Sequence, residues 1–234
     1  MQLSGAEIMC RILAEEGVTT VFGYPGGAIL PFYGALRQSP IQHILTAHEQ
    51  GAAHAADGFA RASGKVGVCI ATSGPGATNL VTGLATAFLD SVPVVAITGQ
   101  VNRALIGHDA FQEVDITGIT MPITKHNFLV KKPENLAQTL RLAFQLAREG
   151  RPGPVLVDVP RDVQTALIDF EEARLAELQP LEPDAERVAA AAAAINKAQR
   201  PVMLVGGGVI NANAEYDVMH LCEKLRIPVR SEER

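Results

Sequence analysis

Residues 66–100, VGVCIATSGPGATNLVTGLATAFLDSVPVVAITGQ, decide the fold. Two short apolar runs, VGVCIAT (66–72) and VPVVAITG (92–99), flank a helix pattern, NLVTGLATAFLD (79–90). Neither run alternates apolar with polar residues, so each reads as a strand buried on both faces. Strand, helix and strand in that order require a crossover, which makes the two strands parallel. Between the first strand and the helix lies SGPG (73–76), whose glycines let main chain turn tightly and approach a neighbour closely.

The alternation extends in both directions. Upstream come a helix over about 4–16 with Ser4 and Glu7 spaced as a capping box, strand TTVFGY, a helix around 28–37 and strand IQHILTA. Downstream come an irregular stretch around 101–122, a helix over 134–149 and strand GPVLVDV. The fold class expected is α/β, a doubly wound parallel sheet over residues 1–165. Residues 166–185 are acidic, contain Pro180 and Pro183, and read as a linker. From 186 to 234 a helix, strand PVMLVGGGVI and another helix look like the start of a second α/β domain. About fifty residues are too few to close a sheet of their own.

Composition narrows the function. With 47% hydrophobic residues the chain suits a buried core, and its net charge of −5 with no basic cluster argues against nucleic acid. Cys10, Cys69 and Cys222 are odd in number and form no CxxC pair, which fits a reducing cytoplasm. The apolar runs are too short to span a bilayer, and the first residues lack a signal-peptide pattern. A cytoplasmic protein without a membrane partner is expected. The six histidines show no metal-ligand spacing, so no metal site is assigned within the chain.

Open parallel sheets place ligands at the carboxyl ends of their strands. Four loops stand there: GYPGGA (23–28), TAHEQ (46–50), TSGPGATN (72–79) and the segment after AITGQ (96–100). In TAHEQGAAHAADGFARA (46–62), read as a helix, Glu49 shares one stripe with Ala52, Ala53, Ala56 and Ala60. Thr46 and Glu49 have the spacing of a capping box, which is one reading of the acid. The sharper reading is a buried acid aimed at a ligand. DAFQEVD (109–115) puts Phe111 and Gln112 in a loop among three acids, and a solvated loop is its plain reading.

VFGYPGGA, the long run from HEQGAAHAADGFARA to VPVVAITGQV, DAFQEVD and GRPGPVLVDVPRDVQ occur in this order and near this spacing in one family. Over residues 3–229, most densely through 165, the chain resembles the N-terminal part of the large catalytic subunit of acetohydroxyacid synthase, or acetolactate synthase. Related thiamine diphosphate enzymes share the Glu and the SGPG turn but are less similar around DAFQEVD and RPGPVLVD. The resemblance implies a pyrimidine-binding domain followed by the start of a middle domain. It implies decarboxylation of pyruvate and transfer of the two-carbon unit to a second 2-keto acid, such as 2-ketobutyrate, in branched-chain amino acid biosynthesis. Another thiamine diphosphate-dependent decarboxylase, carboligase or oxidase, and a non-catalytic pyrimidine-binding subunit of a split enzyme, are the alternatives.

By the same matching Glu49 would meet N1′ of the aminopyrimidine and trigger proton loss at C2. The small alanines around it would leave room for the flat ring. Tyr24, Pro25, Gly27, Pro75 and Asn79 would lie beside the cofactor. Phe111 would shield the reacting centre, and Gln112 would donate to substrate-derived oxygen. A non-redox FAD would contact Arg151 and lie near Gly206, Gly207 and Gly208. Arg161 stands where the family often has lysine, which keeps charge but not shape. Mg²⁺ would be held by a Gly-Asp-Gly motif that this sequence does not contain. The family works as a homodimer or higher homo-oligomer with sites shared between subunits, and a small regulatory subunit is a further partner. The chain is therefore expected to be an N-terminal fragment, silent in catalysis by itself.

Overall fold

A computed structural model describes residues 1–173 and 182–231. The chain divides into two compact units, Met1–Leu178 and Gln179–Arg234. The first opens with β1 (Gln2–Ser4), α1 (Gly5–Glu15), β2 (Thr20–Gly23), α2 (Leu30–Leu36), β3 (Gln42–Leu45) and α3 (Glu49–Ser63). There follow β4 (Gly67–Ala71), α4 (Pro75–Thr78), α5 (Val81–Leu89), β5 (Val94–Gln100) and α6 (Ile116–Thr120). The unit closes with β6 (His126–Leu129), α7 (Leu136–Arg148), β7 (Val155–Pro160), α8 (Arg161–Thr165) and β8 (Leu167–Asp169).

Six strands form one sheet in the order β3-β2-β4-β5-β7-β6, every neighbouring pair parallel. All residues of β4, β5 and β7 are buried, as their predominantly apolar, non-alternating runs require. One face is covered by α1, α2 and α7, whose Ile8, Ile12, Phe32, Leu140 and Phe144 pack on Val68, Val95 and Val157. The other is covered by α3 and α5, where Ala52, Ala53, Ala56 and Ala60 meet Cys69, Leu80 and Leu84. Small residues on α3 bring it close: a Cβ at Gly67 would lie 2.1 Å from Ala56 O, and one at Gly83 would lie 2.4 Å from the Ala53 Cβ. The alanine stripe thus serves helix–sheet and helix–helix packing, rather than clearing room for a flat ring.

The capping box at the start of α1 is present, with Ser4 N donating to Glu7 Oε2 at 2.8 Å and Glu7 N to Ser4 Oγ at 3.3 Å. Three strands have no counterpart in the sequence reading. β6 (HNFL) is a half-exposed edge strand, so it shows no apolar run. β1 and β8 are three residues each and pair antiparallel, Gln2 with Asp169. Phe170 N donates to Met1 O at 2.8 Å, and the Met1 amine returns a bond to Phe170 O at 3.0 Å. Residues 167–169, expected in the linker, therefore belong to the first unit. Residues 174–181, the middle of that expected linker, lie outside the described residues.

The second unit holds α9 (Ala185–Lys197), β9 (Met203–Val205), α10 (Gly208–Asn211), α11 (Glu215–Leu225) and β10 (Val229–Ser231), with β9 and β10 parallel. The apolar run expected as one strand over 201–210 stops at Val205, because Gly207 enters the helical region and starts α10. Among the described residues no helix is long and apolar enough to cross a membrane.

Candidate active site

In this sheet β2 lies between β3 and β4, so the chain winds outward in opposite directions from the β2–β4 pair. The loops after these two strands therefore diverge and leave a crevice at the carboxyl edge. They are the 23–28 and 72–79 segments.

The 72–79 turn is the hub of that crevice. Gly74 has φ 59° and ψ −123°, a conformation open to glycine, and sends the chain into the one-turn helix α4. Three other segments meet this turn. Ala28 N donates to Thr72 Oγ1 at 3.2 Å, and a Cβ at Gly26 would lie 2.5 Å from the Thr72 side chain. Asn79 Nδ2 donates to Glu49 Oε2 at 2.9 Å. A Cβ at Gly74 would sit 2.6 Å from Gln112 O, so the 109–115 loop rests directly on the turn.

Glu49 is 8% exposed at the first position of α3. The capping box expected with Thr46 does not form. His48 has extended backbone (φ −153°, ψ 142°) and caps the helix itself, its Nδ1 accepting from Gln50 N at 3.1 Å. The helix thus starts too late for Glu49 to reach back to Thr46 N–H, which instead donates to Gly23 O at 3.1 Å. Freed from that role, the Glu49 carboxyl turns to Asn79. A Cβ at Gly76 would stand 3.1 Å from Oε1, and no donor among the described residues reaches that oxygen.

Two more polar atoms lie buried nearby without a partner among the described residues, Thr46 Oγ1 and Tyr33 Oη. Burial chiefly, with the Cys69 thiol and Glu49 adding, holds the Tyr33 phenol above the usual tyrosine range. A carboxylate with one oxygen held and one facing a glycine cradle suits a planar heterocycle that offers a ring nitrogen. The residues present fit the aminopyrimidine of thiamine diphosphate.

Most other expected residues stand at this edge. Tyr24 is 43% exposed in the 23–28 segment, beside Pro25. A Cβ at Gly27 would meet open space. Pro75 is exposed at the first position of α4. Phe111 is 88% exposed, and Gln112 adopts a positive φ of 58°. Arg151 is elsewhere. It precedes β7 at the opposite, amino edge of the sheet, where its Nε donates to Ser91 Oγ at 2.6 Å. Gly206, Gly207 and Gly208 follow β9 in the second unit, all with open space where a Cβ would stand. Arg161 is exposed at the carboxyl end of β7.

Four further side chains hold these loops: Thr72, Gln164, Gln100 and Asp158. Buried Gln164 donates to Ala28 O at 2.8 Å and Val159 O at 2.9 Å, fixing the end of the 23–28 segment. Asp158 accepts from Thr98 Oγ1 at 2.7 Å and Gln100 Nε2 at 2.9 Å, and burial pushes its carboxyl up to about 7. A lone Asp inside GPVLVDV was the available signal, since an acid in a strand buried on both faces needs a partner.

Comparison with known proteins agrees with this geometry. Residues 3–119 match the family described as thiamine pyrophosphate enzyme, N-terminal TPP binding domain, and residues 188–232 match the central domain of the same enzymes. A probable acetolactate synthase large subunit of Methanocaldococcus jannaschii is 55% identical over 97% of this chain and 40% of its own length. The acetolactate synthase large subunit of Corynebacterium glutamicum is 54% identical over 97% of this chain and 37% of its own. An acetolactate synthase of Arthrospira platensis is 52% identical over 98% and 42%. The chain thus spans about 40% of the length of the curated relatives it matches. With its buried glutamate at the crevice of a parallel sheet, the chain belongs to the thiamine pyrophosphate enzymes.

Proposed function

We propose that this chain supplies the pyrimidine side of a thiamine diphosphate site for an acetolactate synthase-type condensation of pyruvate with a second 2-keto acid. One observation carries the reading: a single turn, 72–79, holds Glu49 through Asn79 and meets both the 23–28 segment and Gln112. When bound, the cofactor supplies the electron sink for decarboxylation. Glu49 exchanges a proton at a pyrimidine nitrogen, while Asn79 fixes the other carboxyl oxygen and so the direction of the exchange. Tyr24, Pro25, Gly27 and Pro75 flank the ring. Phe111 keeps water from the reacting centre, and Gln112 donates to oxygen derived from the keto acid.

The names of the relatives support this choice over a decarboxylase or oxidase on the same domain. The reading brings with it Mg²⁺ for the diphosphate and a non-redox FAD reached by Arg151 and the 206–208 glycines. It also brings pyruvate and 2-ketobutyrate as substrates, a homodimer or higher homo-oligomer, a small regulatory subunit and a cytoplasmic location. The first unit, with β8 (Leu167–Asp169) included, is then the pyrimidine-binding domain, and the middle domain begins near 186.

The test is Glu49→Ala in the complete enzyme. Exchange of the C2 proton of bound thiamine diphosphate, followed by NMR in deuterated buffer, should slow roughly 10²–10⁴-fold. Exchange at the wild-type rate would refute the role given to Glu49.

A further inference from the structure

The 101–114 segment carries Phe111 and Gln112, yet it leaves the sheet after β5 and is only briefly helical, over Arg103–Leu105. Its ends are joined by one side chain. The Gln100 amide accepts from Val101 N through Oε1 at 2.9 Å and donates from Nε2 to Val114 O at 2.9 Å. The same Nε2 donates to Asp158 Oδ2 at 2.9 Å. Gln100 is 4% exposed, Asp158 2% and Thr98 0%.

An amide can sit either way round in such a pocket, and the two ways have opposite consequences. Turned over, Gln100 would aim its oxygen at Val114 O and lose the closing bond. An acceptor fixed at Asp158 Oδ2 requires the nitrogen on that side, which places the second N–H on Val114 O. The carboxyl does this in either protonation state. The Thr98 hydroxyl donates to Oδ1 when Asp158 is charged and rotates to accept from it when Asp158 is protonated, leaving Oδ2 free for Gln100. We infer that Asp158 is a positioning residue which, by fixing the orientation of the Gln100 amide, closes the 101–114 segment and seats Phe111 and Gln112 on the Gly74 turn.

Its value for turnover rests on the proposed role of Phe111 and Gln112, whereas the closure itself does not. Two substitutions separate positioning from packing. Asp158→Asn keeps an acceptor for Gln100 with its own amide nitrogen turned to Thr98. Asp158→Val resembles its neighbours Val157 and Val159 and removes a buried acid, so the sheet should stand while the closure is lost. Hydrogen exchange of this chain, measured by mass spectrometry, should rise at least about tenfold across 101–115 in Asp158→Val, with α5 and β4 unchanged. Asp158→Asn should stay within about twofold of wild type there. Should Asp158→Val not fold, Gln100→Leu carries the same expectation. Wild-type protection of 101–115 in the Val or Leu variant would overturn the inference, and so would a loss spread equally through α5 and β4. In the complete enzyme, released closure with unchanged turnover would support the clamp and refute the substrate role of Gln112.

Discussion

Gly74→Ala tests the junction on which the site depends. The substitution acts twice. At φ 59° and ψ −123° an L-residue is strained, at a cost of about 1–3 kcal/mol. The new methyl would also lie 2.6 Å from Gln112 O and 2.9 Å from Gln112 Cα. Ordinary contact begins near 3.4 Å, so the 109–115 loop must retreat by about 0.8 Å or the turn must flatten. The obstacle is main chain, which cannot swing aside as a side-chain tip would. A total destabilisation of about 2–4 kcal/mol follows, since overpacking contributes a further 1–3 kcal/mol partly relieved by loop movement. Denaturant titration of the 234-residue chain measures the loss, and hydrogen exchange across 109–115 shows whether the loop has lifted. Gly51→Ala is the matched control. Gly51 lies inside α3 with open space where a Cβ would go, so alanine should stabilise by about 0.5–1 kcal/mol. If Gly74→Ala unfolds at the wild-type denaturant concentration with its loop still protected, the turn is not the hub of the site.

Gln112→Ala in the complete enzyme should leave thiamine diphosphate affinity within about twofold and lower carboligation at least about tenfold, a loss of at least about 1.4 kcal/mol in transition-state binding. Equal damage to cofactor affinity, or unchanged product formation, would take Gln112 out of the site. Asp158 should leave a pH signature on stability. Its carboxyl rises from an ordinary 3.8 to about 7, so the folded state holds a proton that the unfolded chain releases between those values. The contribution of Asp158 is therefore fully present below pH 3.8 and is lost as pH rises through 7, with a slope of at most about 1.4 kcal/mol per pH unit. Comparing wild type with Asp158→Asn across this range isolates the effect. A constant difference, or wild type gaining on the variant as pH rises, would contradict the assignment.

What the sequence discloses depends on how many residues share a job. The central strands are legible because each is a mostly apolar run without apolar–polar alternation, the pattern that burial on both faces leaves. The edge strand β6, HNFL, has one half-exposed face and a polar start, and nothing in four residues separates it from a loop. Glu49 is legible as a buried acid, since the small residues after it mark a close-packed helix. Its partner is not, because Asn79 follows thirty positions later and the bond depends on where α3 begins. That start is set by the backbone at His48, and the Thr46–Glu49 spacing points two residues too early. Asp158, Gln100 and Val114 come together only through strand order, with β7 inserted between β5 and β6.

The pairing of β1 with β8 has a consequence for how the protein is made. The partner of Gln2, Asp169, emerges from the ribosome 167 residues after it. At about 5–20 residues per second the first strand waits roughly 8–33 s for its mate. During that interval α1, β2 and their neighbours can assemble, while β1 stays unpaired. Its brevity and polarity suit the delay, since QLS offers a growing chain little to aggregate through. The last contact to form joins the oldest residues of the unit to some of its newest, so the nascent unit stays open until its final strand arrives.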